Sequence, residues 1–308
     1  MTFVPWTAEP YTMRRTLILL AFLPLSLWAQ DAAFIRHTPR DQYLFPEEAP
    51  PAYVLLGPAP LHSVPDMSGP VIASLTAGER IMVLEMHMDT LELNGVTSHW
   101  YRVQAGQRAG WTWGGHIAQS TFGSAGDPSV KFVGGIDHVT PSDTGRMDFS
   151  YRIVAIRNGK ELDHIVVRSF AWGFGQVVDQ GNRGLKNVDD VITLEVPCVG
   201  GCGCTTGEVV VFWSGGKFHH VADLMGSPDG AYSTNATFIY PSDMEGVPGA
   251  VIRATSAYDD APLQDPGYGD PETLARILTY ETLRWDGRAL VGSGAPVVEK
   301  RYTMDRDQ

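Results

Sequence analysis

Residues 197–204 read PCVGGCGC and hold all three cysteines of the chain. Sulfurs at C-x-C and C-x3-C spacing can chelate a soft metal, but structural zinc takes four ligands and only three thiolates exist. His219 or His220 would have to complete the set from the next hairpin. Neighbouring residues on a strand point to opposite faces, so the two histidines cannot grip one ion together. A catalytic thiolate needs a helix N-terminus or a cationic neighbour to lower its pKa. This segment instead connects two strand-like runs, Val191–Val196 and Val209–Trp213. In an oxidising compartment such thiols pair. Cys198–Cys202 or Cys198–Cys204 closes a small loop and leaves one sulfur free, whereas the one-residue spacer strains Cys202–Cys204. Cys198, Cys202 and Cys204 are therefore disulfide candidates, with no metal expected.

Other candidate chemistry is thinner. The acidic run Asp259-Asp260 to Asp265 and Asp270 could hold Ca²⁺, but it lacks the regular spacing of a calcium loop and reads as a solvated loop. Asn235-Ala236-Thr237 is a glycosylation acceptor only in a eukaryotic secretory route. No G-x-S-x-G, H-E-x-x-H, P-loop or dinucleotide fingerprint occurs, so neither a catalytic constellation nor a cofactor is expected.

The elements that would carry these residues are short strands. The 308 residues include 33 Gly and 21 Pro, and charged residues make only 19%. Abundant turn formers with few long charged side chains favour an all-β fold. The net charge of −12, with no Lys/Arg cluster, excludes nucleic acid as an expected partner. From Met13 the chain reads MRRTLILLAFLPLSLWAQ, a basic pair followed by an apolar run from Leu17 to Trp28. Residues 1–30 are thus expected to be a secretory signal peptide, with Met13 an alternative start. That run is too short to span a bilayer comfortably, and no other apolar stretch approaches 18 residues, so no integral membrane protein is expected after its removal. The chain should be exported, to the periplasm or beyond.

Composition divides the remainder. Residues 31–49 form a polar lead-in, 50–118 a first block, 119–129 (QSTFGSAGDPS) a linker, and 130–308 a larger second block. In the first block VIASLTAGERIMVL alternates around a turn at Ala77-Gly78-Glu79. HWYRVQAGQRAGWTWGGHIA follows, with a second turn at Ala105-Gly106-Gln107. Leu75-Thr76-Ala77-Gly78-Glu79-Arg80-Ile81-Met82-Val83, Trp100-Tyr101-Arg102-Val103 and Gly110-Trp111 resemble the bacterial Src-homology-3-type domain. The entry strand departs from that family, with Leu61-His62-Ser63-Val64-Pro65 in place of its Asn-Val-Arg run. The resemblance implies a small SH3-like barrel that binds a peptide or a peptidoglycan component at the cell envelope. Within it Trp100 and Trp111 are expected to fill the core. Tyr101 and Trp113 would face outward as the ligand-binding candidates.

The second block carries hairpin signals at Arg157-Asn158-Gly159-Lys160, Ser214-Gly215-Gly216-Lys217 and Trp285-Asp286-Gly287-Arg288. These resemble, weakly, hairpins of secreted β-propeller-like and sandwich-like domains, which implies an antiparallel β domain. A short helix is expected at Pro271–Tyr280, where Asp270 can cap and Leu274, Ile277 and Leu278 share a face. The function expected is an exported, non-catalytic envelope binding or scaffold protein. An envelope peptidoglycan hydrolase with an unrecognised site, or a periplasmic assembly factor, is the alternative.

Overall fold

Runs of β-branched and aromatic residues broken by Gly, Asn and Pro become sheets in the computed structural model. It describes residues 33–141, 147–169, 173–198, 204–227, 233–259 and 273–304. Among these residues there is no α-helix and the fold is all-β. The signal expected over 1–30, Cys202 and the acidic loop beyond Asp259 lie outside the described residues.

The first sheet is a half-barrel of β1 (Ala33–Ile35), β2 (Ala52–Tyr53), β3 (Ala59–His62), β4 (Val71–Leu75), β5 (Arg80–Leu93), β6 (Val96–Ala105) and β7 (Arg108–Trp113). Its order is β2-β5-β6-β7-β3-β4, and β1 lies parallel to the start of β6. Alternation on β6 sends Tyr101, Val103 and Ala105 inward against Leu61, Leu75, Ile81 and Val83.

Ala77-Gly78-Glu79 proves to be a corner rather than a hairpin turn. β4 pairs with β3, and β5 pairs with β2 and β6. Gly78 N–H donates to Val54 O at 2.8 Å and Val54 N–H donates to Glu79 O at 3.0 Å, which turns β5 away from β4. Glycine is required here, since φ is +80° and an added Cβ would lie 2.9 Å from the Ile156 side chain. A two-residue hairpin does occur at Asn94-Gly95, between β5 and β6, with φ of 54° and 72°.

The lead-in is not loose. Beyond β1, 3-10 turns at Arg40–Gln42 and Pro46–Glu48 fold it back over the half-barrel. Ile35 is buried, and Ser98 Oγ donates to its carbonyl at 2.8 Å.

The second block is a stack of sheets. β8 (Ser120–Gly123), β9 (Val130–Pro141), β10 (Met147–Arg157) and β11 (Lys160–Ser169) form one, in the order β11-β10-β9-β8. β12 (Val177–Asp179), β13 (Asp190–Val196), β14 (Thr206–Ser214) and β15 (Lys217–Gly226) form the next in simple succession. β16 (Asn235–Ile239), β17 (Val251–Asp259), β18 (Thr273–Trp285) and β19 (Leu290–Gly292) form the last, with β20 (Val297–Met304) also paired to β18. The Asn158-Gly159 and Gly215-Gly216 hairpins close where expected, each with positive φ at both turn residues. Asp286 Oδ1 accepts from the backbone of Arg288 and Ala289, each at 2.8 Å, to make the third turn.

Opposite faces of the two middle sheets find different partners. Phe132, Tyr151 and Ile153 meet Leu194, Val211 and Trp213 of the next sheet. On the other face Val133, Val154 and Ile156 meet Tyr53 and Leu55 of the half-barrel. Val210, Phe212 and Leu224 meet Phe238, Tyr240 and Val251 of the last sheet. A strand covered on both faces buries consecutive residues, which explains why Val191, Ile192, Thr193 and Leu194 of β13 are all buried.

Two expectations about connections are overturned. Of the residues expected as a helix at Pro271–Tyr280, the first two lie outside the described residues and Thr273–Tyr280 belong to β18, paired on one edge with β17 and on the other with β20. A ten-residue helical pattern is too short to persist against hydrogen bonding on both edges. The 119–129 segment is not a linker, because β8 pairs with β9 and the turn after it is clamped. There Asp190 accepts from Ser124 Oγ (2.5 Å), Ala125 N (2.8 Å) and Gly126 N (3.0 Å). Asp179 takes the Ala125 N–H as well, at 2.9 Å.

Cys198 and Cys204 form the disulfide, with Cα atoms 5.6 Å apart, between β13 and β14. Closing so short a loop stabilises by about 2 kcal/mol, so Cys204→Ala should lower the urea unfolding free energy by that amount. Thiol titration of native, unreduced protein should find one reactive sulfhydryl per chain, rising to three after reduction.

Candidate functional site

The docked lead-in creates a groove. Arg36, His37, Thr38, Arg40 and Tyr43 of the lead-in line it together with Pro50, Pro51, Met82, Gln119 and Thr121, around about 370 Å³. A shallower depression of about 240 Å³ adjoins it across Pro50, Pro51 and Met82 and adds Arg80 and Gln104. Clefts of this size hold a small molecule or a few residues of a peptide.

The wall is fixed by the barrel. His37 N–H donates to Tyr101 Oη at 2.8 Å, and His37 Nε2 meets Gly114 O at 2.9 Å. A carbonyl can only accept, so Nε2 carries the proton and Nδ1 keeps its lone pair. Burial pushes the His37 imidazole down to about 4, outweighing the Gly114 hydrogen bond, and the ring is neutral at pH 7. Arg40 is held by Nε donating to Pro46 O at 2.8 Å and by a contact to Met82 Sδ at 3.3 Å. Gln119 Oε1 accepts from Ile136 N at 2.7 Å, which leaves its amide NH₂ as a donor.

The aromatic residues singled out from sequence are elsewhere. Tyr101 is fully buried in the barrel core, and Trp113 is only 3% exposed. Burial raises the Tyr101 phenol pKa. Trp113 Nε1 donates to Leu91 O at 2.9 Å, and the residue packs with Ile35, Val96 and Val139. Neither side chain offers a surface to a ligand. The register explains the reversal: Trp100 faces Trp113 across β6 and β7, so Trp100, Trp111 and Trp113 share one face while Tyr101 points inward. The long β5 and the docked lead-in then cover the Trp113 end of that face. Trp111, expected in the core, is half-buried, with its ring edge-on to His87 at 5.8 Å.

A second constellation escaped the motif search. Ser150 Oγ lies 3.0 Å from His138 Nε2, His138 Nδ1 lies 2.9 Å from Asp137 Oδ2, and Arg152 Nε donates to Asp137 Oδ1 at 2.7 Å. Ser150 pairs with His138 across β9 and β10, but Tyr151 pairs with Ile136, so Asp137 is an extra, bulged residue. The bulge lets consecutive Asp137 and His138 reach the same network, which a regular strand forbids. Burial opposes ionisation of Asp137, but Arg152 and His138 outweigh it and hold the carboxyl below its usual range. These are the atoms of a Ser-His-Asp relay. Its cavity, about 660 Å³, is lined by Leu56, Asn94, Asp137, His138, Thr140 and Arg152; Ser150 does not line it and is 2% exposed.

His219 lies edge-on to Trp285 at 5.2 Å, and His220 pairs with Asp223 at 2.8 Å. Among the described residues no group of three or more His, Cys, Asp or Glu side chains is placed to hold a metal ion. No helix among them is long and apolar enough to cross a membrane. No protein-family model matches the chain, and no curated protein or solved structure shows significant similarity to it.

Proposed function

We propose that the chain is an exported cell-envelope protein. Its SH3-like half-barrel, with the docked lead-in, binds a peptide or a peptidoglycan component in the Arg36–Thr121 groove. One observation carries this reading: the groove is preformed, with its lead-in wall held by the hydrogen bonds of His37 and Arg40. Pre-organised clefts bind without a large ordering cost. Export is supported by the Cys198–Cys204 disulfide and by the signal-like N-terminal sequence. The test is retention of the purified protein on cell-wall sacculi. Thr121→Trp, which places an indole in the groove from an exposed position, should reduce retention at least tenfold; unchanged retention would remove the groove from the account.

The hydrolase alternative has one observation in its favour, the Ser150–His138–Asp137 relay. It requires the buried Ser150 hydroxyl to reach a carbonyl. Incubation with a fluorophosphonate probe is expected to leave Ser150 unlabelled; labelling that Ser150→Ala abolishes would establish the hydrolase instead.

A further inference from the structure

Charge is distributed unusually around the groove. The chain carries 35 acidic and 23 basic residues, yet no Asp or Glu lines the groove or the adjoining depression. Three arginines do: Arg36, Arg40 and Arg80. Elsewhere Arg102, Arg108, Arg152, Arg157, Arg183 and Arg253 each meet a carboxylate, while among the described residues Arg168 and Arg284 form no ion pair. Among the described residues the three groove arginines form no ion pair, and Arg40 commits only one N–H to a carbonyl and one to a sulfur.

The remaining polar groups have the same bias. The Gln119 NH₂ and the hydroxyls of Thr38, Tyr43 and Thr121 can all donate, and the neutral His37 adds no positive charge of its own. A cleft rich in donors with no anionic acceptor of its own recognises a ligand that brings one. A guanidinium already fixed by its neighbours meets a planar carboxylate with little loss of side-chain freedom. An acidic protein surface around a locally positive cleft also focuses the field there.

We infer that the groove is a carboxylate receptor: its ligand lays a chain-terminal or side-chain carboxylate against the guanidinium groups of Arg36 and Arg40. The inference rests on the groove being the ligand site and adds the chemistry that selects the ligand. The second depression, with Arg80, offers a place for a second acidic group one or two residues along a peptide.

Fluorescence titration of the full chain with dansyl-Ala-Glu, and with the same peptide as its diamide, separates the two ideas. The free acid should bind at least about tenfold more tightly than the diamide and weaken between 50 and 300 mM salt, as a charge-assisted contact must. Arg40→Gln should weaken the acid about tenfold more than it weakens the diamide, whose loss reports only the loosened wall. Arg36→Gln, at an exposed residue, repeats the test should the first variant fold poorly. Equal binding of acid and diamide, both lost in Thr121→Trp, would overturn the receptor while keeping the groove. Sacculus retention that depends on Thr121, with no measurable binding of either peptide, would do the same. Displacement of the acid by inorganic phosphate at lower concentration than by acetate would also overturn it and assign the cleft to phosphate.

Discussion

Phe132→Ala is expected to lower the unfolding free energy by about 3–5 kcal/mol, measured by urea titration. Phe132 is fully buried where β9 faces the next sheet, with ring centroids of Phe122, Trp213 and Phe218 at 5.4, 5.6 and 5.6 Å. Those three rings come from both sheets, so removing the fourth leaves a cavity that neither sheet can close alone. Phe132→Leu, which keeps most of the volume, should cost less than half as much. If Phe132→Ala costs under about 1 kcal/mol, the two sheets do not share this core.

The Asp179–Asp190 clasp gives the second large effect. Asp190 is fully buried and accepts three hydrogen bonds from the turn that follows β8. Asp190→Ala removes the acceptor of Ser124 Oγ and Gly126 N, leaves Ala125 N with Asp179 alone, and should cost about 2–4 kcal/mol. Its partner makes the clasp depend on pH. Burial and the nearby Asp190 raise Asp179 from 3.8 to about 6, against the Gly181 and Ala125 hydrogen bonds. An acid whose folded pKa is raised holds more protons in the native state. Its stabilisation is complete below pH 3.8 and is lost as pH rises through about 6. Asp179 is only half-buried, so solvent screening reduces the effect to about 1–2 kcal/mol between pH 4 and 7. Asp127, paired with Arg157, and Asp189 are the other acidic residues at this turn. Asp179→Asn should remove the slope, and parallel pH–stability curves for the two proteins would refute the assignment.

Local signals in the sequence translated well. Asn158-Gly159 and Gly215-Gly216 are tight turns because their positive φ values need only two residues to be right. The small disulfide-closed loop was visible in PCVGGCGC, although the choice between Cys202 and Cys204 needed the geometry that places Cys198 against Cys204. What was hidden depends on contacts distant in sequence. β1 pairs with β6 some sixty residues later, and only that pairing converts a polar lead-in into a groove wall. The same docking covers Trp113, which alternation alone would leave open. The Ser150 relay requires a bulge at Asp137, and a one-residue register shift leaves no mark on composition. For β18, helical spacing and strand alternation coexist over Thr273–Trp285, and the flanking strands decide between them.

Hydrogen exchange of the intact protein, with and without soluble muropeptides, tests the central claim most directly. The account predicts slowed exchange concentrated in residues 36–43, 80–83 and 118–121, the three segments that meet at the groove. Protection absent from those segments, or centred instead on Asp137–Thr140 beside the relay cavity, would contradict it.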